Sequence, residues 1–144
     1  MNLRDSLNQY YYTMTVADLR LLSRSGEGEL SYNSIMYLDV ISFQQAKGLC
    51  TVSTLADTLR ITRSAVTLKV NDLERLGLVV KERSETDRRV VHLRVSPRAE
   101  QALTTYDRPF ERALRKIETD FTPEQLAAFC AVLQAFSTEF EKES

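Results

Sequence analysis

Arg63, Ser64, Thr67, Leu68, Asn71 and Arg75 have the types and spacing of a surface that reads nucleic acid. On a helix turning about 100° per residue, Val66, Val70, Leu73 and, at the edge, Leu76 fall on one side. Ser64, Thr67, Leu68, Asn71 and Arg75 fall on the other, and Arg63 flanks the turn leading in. Asparagine pairs with adenine, arginine with guanine or phosphate, and hydroxyls with either; Leu68 can meet a thymine methyl. Lys69 lies near the inner rim, where its stem is expected to pack while its ammonium snorkels outward. A polar helix face is also what solvent selects, so the surface gains meaning only from its surroundings. One such feature is Asp87-Arg88-Arg89, between two short β-rich segments. On a projecting tip, arginine suits the negative potential of a narrow minor groove. Asp87 is expected to brace Arg89 and leave Arg88 to reach outward.

These residues need elements to hold them. Leu3 to about Arg24 reads as a helix, with Leu3, Leu7, Tyr10, Tyr11, Met14, Ala17 and Leu21 at three- and four-residue steps. Ser25–Glu29 is polar, holds two glycines and reads as a loop. A second helix spans about Tyr32–Ala46, capped by Ser31 and followed by Gly48. Ser53 is the expected cap of a short helix Thr54–Arg60, which packs Leu55, Ala56, Leu59 and Ile61 against the next one. After a turn at Ile61-Thr62, Thr62 caps Arg63–Leu76, which stops at Gly77. Leu78–Arg83 and Arg89–Val95 then read as a hairpin around the tip Ser84–Arg88. Ser96-Pro97 starts a helix running to about Thr119, and Thr122-Pro123-Glu124-Gln125 starts a last one with Gln125 placed for a capping box. The last helix carries Leu126, Phe129, Cys130, Leu133, Phe136 and Phe140 on one stripe.

The fold class expected is mainly α with a small β-hairpin wing: a winged helix-turn-helix plus a helical dimerisation body. The 144 residues form one domain by length. The winged lobe is placed at 31–95 and the dimerisation region at 1–30 and 96–144. The terminal helices are more apolar than a small central module covers, and an intermolecular bundle would bury them.

Charge supports this division. The net charge is −1, yet Arg60–Arg98 holds ten cations against five anions, or +5, and the remainder is −6. Screening over ~8 Å makes the local value the relevant one. No apolar run approaches the ~20 residues of a membrane span, and the N-terminus lacks an apolar secretory segment. A cytoplasmic location without membrane partners is expected. Cys50 and Cys130 lie far apart, show no metal-ligand spacing and read as buried structural thiols. His92 is the single histidine, and no partner for nucleophilic catalysis accompanies it. There is no zinc-site spacing and no glycine-rich phosphate loop. The reading is therefore a non-enzyme without a cofactor, whose partner is double-stranded DNA.

Residues 51–99 resemble the core of the multiple antibiotic resistance regulator (MarR) family of bacterial transcription factors. The resemblance rests on Thr54-Leu55-Ala56-Asp57-Thr58-Leu59, Ile61-Thr62-Arg63-Ser64-Ala65-Val66-Thr67 and Leu73-Glu74-Arg75-Leu76-Gly77-Leu78-Val79. It continues in Asp87-Arg88-Arg89 and Leu93-Arg94-Val95-Ser96. The Leu-Gly-Leu-Val exit followed by Asp-Arg-Arg is its most specific part. The resemblance implies a homodimer whose two lobes bind major grooves one turn (~34 Å) apart on a pseudo-palindrome. It also implies repression relieved by a small aromatic anion lodged beside the first two helices, where Tyr11, Met14, Tyr32 and Tyr37 become candidate contacts. Leu68, Lys69, Asn71 and Asp72 stand where the family often has Arg, Leu, Asp and Arg, so the DNA sequence read does not transfer. Ser96-Pro97-Arg98-Ala99 replaces a common Thr-Glu-x-Gly, with little consequence expected beyond a changed cap. The alternative is a winged-helix module that binds protein, which would expose an apolar patch in place of the polar face.

Overall fold

The computed structural model describes residues 1–25 and 31–144, and the side chains of all of these except 24, 25, 105 and 106. The element order is α1 (Leu3–Ser25), α2 (Tyr32–Ala46), α3 (Val52–Leu59), α4 (Arg63–Arg75), β1 (Val79–Arg83), β2 (Val91–Val95), α5 (Pro97–Asp120) and α6 (Pro123–Glu143). This is the mainly helical chain with one hairpin that the pattern implies. Most of the loop expected at 25–29 lies outside the described residues. The chain divides into two compact units, 1–105 and 106–144.

The core of the first unit is drawn from every element between α2 and the first turns of α5. Leu38 and Ile41 of α2, Leu55 and Ala56 of α3, and Val66, Val70 and Leu73 of α4 are buried together. Leu78, Val79, Leu93 and Val95 close it from the hairpin, and Ala99 and Leu103 from α5. The α4 stripe recurs at four- and three-residue steps, as one buried helix face requires.

Local chemistry sets the boundaries. Thr62 Oγ1 accepts from Ala65 N at 3.1 Å and starts α4 as expected. Helix α3 starts two residues earlier than the sequence suggests: Thr51, not Ser53, is its cap. Thr51 Oγ1 accepts from Thr54 N at 3.1 Å while Thr54 Oγ1 accepts from Thr51 N at 2.8 Å. A threonine thus fills the return position of a capping box that Glu or Gln usually holds. Helix α3 ends at Arg60, left-handed at φ 54°, and this sharp reversal sets α4 across α3. Beyond it Ile61 is 40 % exposed and Leu59 half-buried, so α4 packs mainly on Leu55 and Ala56 rather than on all four expected residues.

Helix α4 stops at Gly77, whose φ of 74° suits a residue without Cβ. The hairpin is antiparallel, pairing Val79 with Val95 through to Arg83 with Val91. Its base is anchored: Leu93 N donates to Cys50 O at 2.8 Å and Val95 N to Gln45 Oε1 at 2.9 Å. Ser96 does more than cap α5. Its buried hydroxyl accepts from Ala99 N at 3.1 Å and donates to Gly77 O at 2.6 Å, and Arg98 Nη1 donates to Leu76 O at 2.8 Å. The start of α5 therefore clasps the exit of α4, a consequence of Ser96 and Arg98 absent from the expectation of a merely changed cap.

In the second unit, α6 begins with the expected capping box of Thr122 and Gln125. No described α6 residue is buried, and Phe129, Val132, Leu133, Phe136 and Phe140 stand exposed along it. Phe136 and Phe140 stack on each other at 6.1 Å between ring centroids. Cys130 is exposed, against the expectation of burial, and it shares its helix with the exposed Phe129, Val132 and Leu133. Cys50 is buried as expected, and burial pushes its thiol up to about 11.

Candidate nucleic-acid interface

The buried stripe of α4 turns the opposite face outward. Arg63, Ser64, Thr67, Leu68, Asn71 and Arg75 are all exposed, Leu68 at 70 %. Five of the six are polar or cationic, and Leu68 is the single apolar member. Arg75 Nη2 lies 2.6 Å from Asp72 Oδ1 across one turn. Such exposed pairs are worth under about 1 kcal/mol, so a phosphate or a guanine competes for that guanidinium at little cost.

Asn71 is held differently. Lys81, on β1, donates from Nζ to Asn71 Oδ1 at 2.6 Å, and the same ammonium lies 3.4 Å from Glu74 Oε1. Neither Lys81 nor Glu74 is among the site residues that the sequence suggests. The signal was the two-residue period of the strand: Lys81 shares the side of buried Val79, which packs toward α4.

Lys69 departs from expectation. Its ammonium turns inward and donates to the buried Ser34 Oγ at 3.0 Å, 5.7 Å from the centroid of the Tyr37 ring. Ser34 Oγ also accepts from Ser31, the cap of α2, at 3.0 Å. The bond is charge-assisted, which makes it stronger than one between neutral groups, and it gives the buried Ser34 hydroxyl a donor. The partner lies 35 residues away on α2, which a reading of α4 alone does not reveal.

The wing tip carries the expected brace. Asp87 Oδ1 accepts from Arg89 N and Arg89 Nε, both at 3.1 Å, and Oδ2 accepts from Arg89 Nη2 at 3.3 Å. The Arg89 side chain, then its backbone N–H, holds the Asp87 carboxyl below the usual range. Arg83 Nη1 donates to Arg88 O at 2.6 Å, fixing the Arg88 backbone from the strand side. The exposed Arg88 guanidinium makes no hydrogen bond or ion pair among the described residues. The tip thus divides its arginines, Arg89 for the loop and Arg88 outward.

The four candidate effector contacts stand apart in character. Tyr11 is 72 % exposed on α1 and Met14 half-buried there. Tyr32 is exposed at the first position of α2, and Tyr37 packs against the core. A cavity of about 300 Å³ is lined by Val16, Leu19, Arg20 and Ser23 of α1, and none of the four belongs to that lining. Among the described residues there is no group of three or more His, Cys, Asp or Glu side chains able to hold a metal ion.

Residues 29–90, from the approach to α2 through the wing tip, match the model of the MarR family. That segment, 62 of the 144 residues, is similar to the MarR family. A Thauera aromatica relative, named for transcriptional regulation of the hcr operon, is 37 % identical over 70 residues, covering 49 % of this chain and 40 % of its own length. The chain thus spans about two fifths of that relative. Among solved structures, Streptococcus pneumoniae FabT in complex with DNA is 25 % identical over 98 % of this chain and 99 % of its own, with a TM-score of 0.66. A MepR variant from a multidrug-resistant Staphylococcus aureus isolate reaches a TM-score of 0.72 at 15 % identity, covering 97 % of this chain and 98 % of its own. The likeness to these structures shows that the chain has the winged-helix fold. No helix among the described residues is long and apolar enough to cross a membrane.

Proposed function

We propose that this protein is a MarR-family, non-enzymatic, cytoplasmic transcription regulator that represses by binding a pseudo-palindromic DNA operator as a homodimer. The observation that carries the reading is the union of two features. The outward face of α4 is polar and cationic, and the wing beside it ends in an arginine with no protein partner among the described residues. The likeness to FabT, whose structure is a complex with DNA, supports the same reading. Arg63, Ser64, Thr67, Leu68, Asn71 and Arg75 enter the major groove, and Arg88 and Arg89 flank it. A protein-binding winged helix would expose an apolar patch on this face; Leu68 alone does not make one.

In this reading residues 31–95 are the DNA lobe, and 1–30 with 96–144 form the dimer body. The uncovered aromatics of α6 support that assignment. Two lobes then meet grooves one helical turn, ~34 Å, apart. Selection of genomic fragments by the purified protein, followed by footprinting, tests the proposal. Two protected half-sites about one turn apart are expected; a chain that retains no fragment at low salt refutes it. A small aromatic effector at Tyr11, Met14, Tyr32 and Tyr37 completes the proposal. It releases DNA only through different affinities for the two states, and about 1–3 kcal/mol of coupling gives a 5- to 150-fold change. Titrating aromatic carboxylates into the protein–DNA complex checks this part, and binding of such a ligand without release of DNA contradicts it.

A further inference from the structure

We infer that Lys81 is a specificity-determining residue: it fixes the Asn71 amide so that Asn71 offers its Nδ2 amine, not its oxygen, to the DNA. The inference rests on the proposal that α4 reads a major groove. An ammonium has three donors and no acceptor, so only Oδ1 can face it, and the 2.6 Å contact from Lys81 Nζ settles which way the amide points. The bond is charge-assisted and stronger than a neutral one. Glu74, three residues along the same helix, holds the ammonium from its other side at 3.4 Å. The Lys81 side chain is 31 % exposed, low for a lysine, and Leu93, buried, pairs opposite it on β2. Held by strand, carboxylate and amide, the ammonium is a fixture of the wing base rather than a free surface charge.

The consequence concerns base choice. An asparagine reads adenine by accepting from N6–H while donating to N7. With Oδ1 turned toward the wing, the opposite, Nδ2 edge of the planar amide is the one left to face the groove, and it matches edges made of acceptors: guanine N7 and O6, or thymine O4. Cytosine, which presents an N4 donor, meets the amine unfavourably. The residue is exposed between Thr67 and Arg75, one turn to either side, so its amine faces the groove that those residues address.

The test is selection from random double-stranded DNA with the full chain and the variants N71A, N71D, K81M and K81R. Solution affinities are then measured at the base pair whose preference N71A abolishes. The parent is expected to choose guanine or thymine there. K81M frees the amide, admits adenine and lowers discrimination at that base pair roughly tenfold, leaving other positions unchanged. K81R still donates to Oδ1 and retains the parent's choice. N71D keeps the tie to Lys81 but has no amine, and loses the preference even if K81M proves unstable. The inference is overturned if the parent chooses adenine at that base pair, or if N71D keeps the parent's choice. It is overturned too if K81M weakens all sequences evenly with a shallower salt dependence, which marks a plain phosphate contact. A parent that selects no sequence overturns it together with the DNA-binding proposal; the K81M result alone overturns only the role of Lys81.

Discussion

Arg88 and Arg89 are adjacent, both exposed and both cationic, yet they should respond oppositely to substitution. Arg89 makes three hydrogen bonds to the Asp87 carboxylate and shapes the tip. Arg88 contributes its carbonyl to Arg83 and keeps its guanidinium unengaged among the described residues. In R88A the backbone carbonyl remains, so the wing keeps its form and only the cation goes. A cation that neutralises one phosphate contributes a slope of roughly 0.9 to the log–log dependence of affinity on salt. The proposed homodimer carries two copies, so R88A should make the slope shallower by about 1.8, and a fourfold rise in salt should cost the variant about twelvefold less affinity than the parent. Anisotropy titrations of labelled operator at several salt concentrations measure this. In R89A the dominant effect should be a loosened tip, seen as lost amide-exchange protection around residues 84–90. An R88A protein with the parent's slope would refute the assignment of Arg88 as the reaching arginine.

Other perturbations follow from the same geometry. S96A loses the cap of α5, about 1 kcal/mol, and the donor to Gly77 O, about 1 kcal/mol more. The sum, about 2 kcal/mol, should appear as a lower urea midpoint with unchanged slope, while S96T, which keeps the hydroxyl, stays near the parent. Burial raises the Cys50 thiol from its usual 9 to about 11. A group raised in the native state contributes stability that is intact below pH 9 and lost as pH rises through 11. Unfolding free energy should therefore fall by up to about 1.4 kcal/mol per pH unit across that window, a decline absent from C50A measured alongside. Replacing exposed Phe129 and Phe136 by aspartate should leave the helices intact by circular dichroism but give a monomer in sedimentation equilibrium; an unchanged dimer argues against α6 as part of the interface.

What could be read in advance was what is local. The caps Ser31, Thr62 and Thr122, the stop at Gly77 and the Asp87–Arg89 brace all join residues two or three apart, and the motif contains the contact. The start of α3 was misplaced because Ser53 looks like a cap, whereas Thr51 and Thr54 cap each other. The fasteners that decide how α4 presents itself are long-range. Lys69 meets Ser34 across 35 residues, Lys81 meets Asn71 across ten, and Ser96 meets Gly77 across nineteen. Side-chain type at either end does not announce such a meeting; packing creates it. Cys130 differs for a related reason, since an apolar stripe in a sequence does not say what surface covers it, and Cys130 is exposed.

These fasteners separate the proposed reading residues of α4 into two kinds. Asn71 cannot turn without giving up a charge-assisted bond to a lysine that is itself gripped by Glu74. Arg75 is tied only to Asp72, in an exposed pair that costs little to open, and Ser64 and Thr67 carry hydroxyls that rotate to suit either a donor or an acceptor. A fixed donor penalises the wrong base with an unpaired polar group, whereas an adaptable group finds a second-best partner at small cost. Tolerance should therefore vary along the recognition helix. In selected operators the base under Asn71 should stay guanine or thymine while those under Arg75 and Ser64 should drift more widely, and a uniform spread of tolerance would show that packing behind the face has no say in what the face accepts.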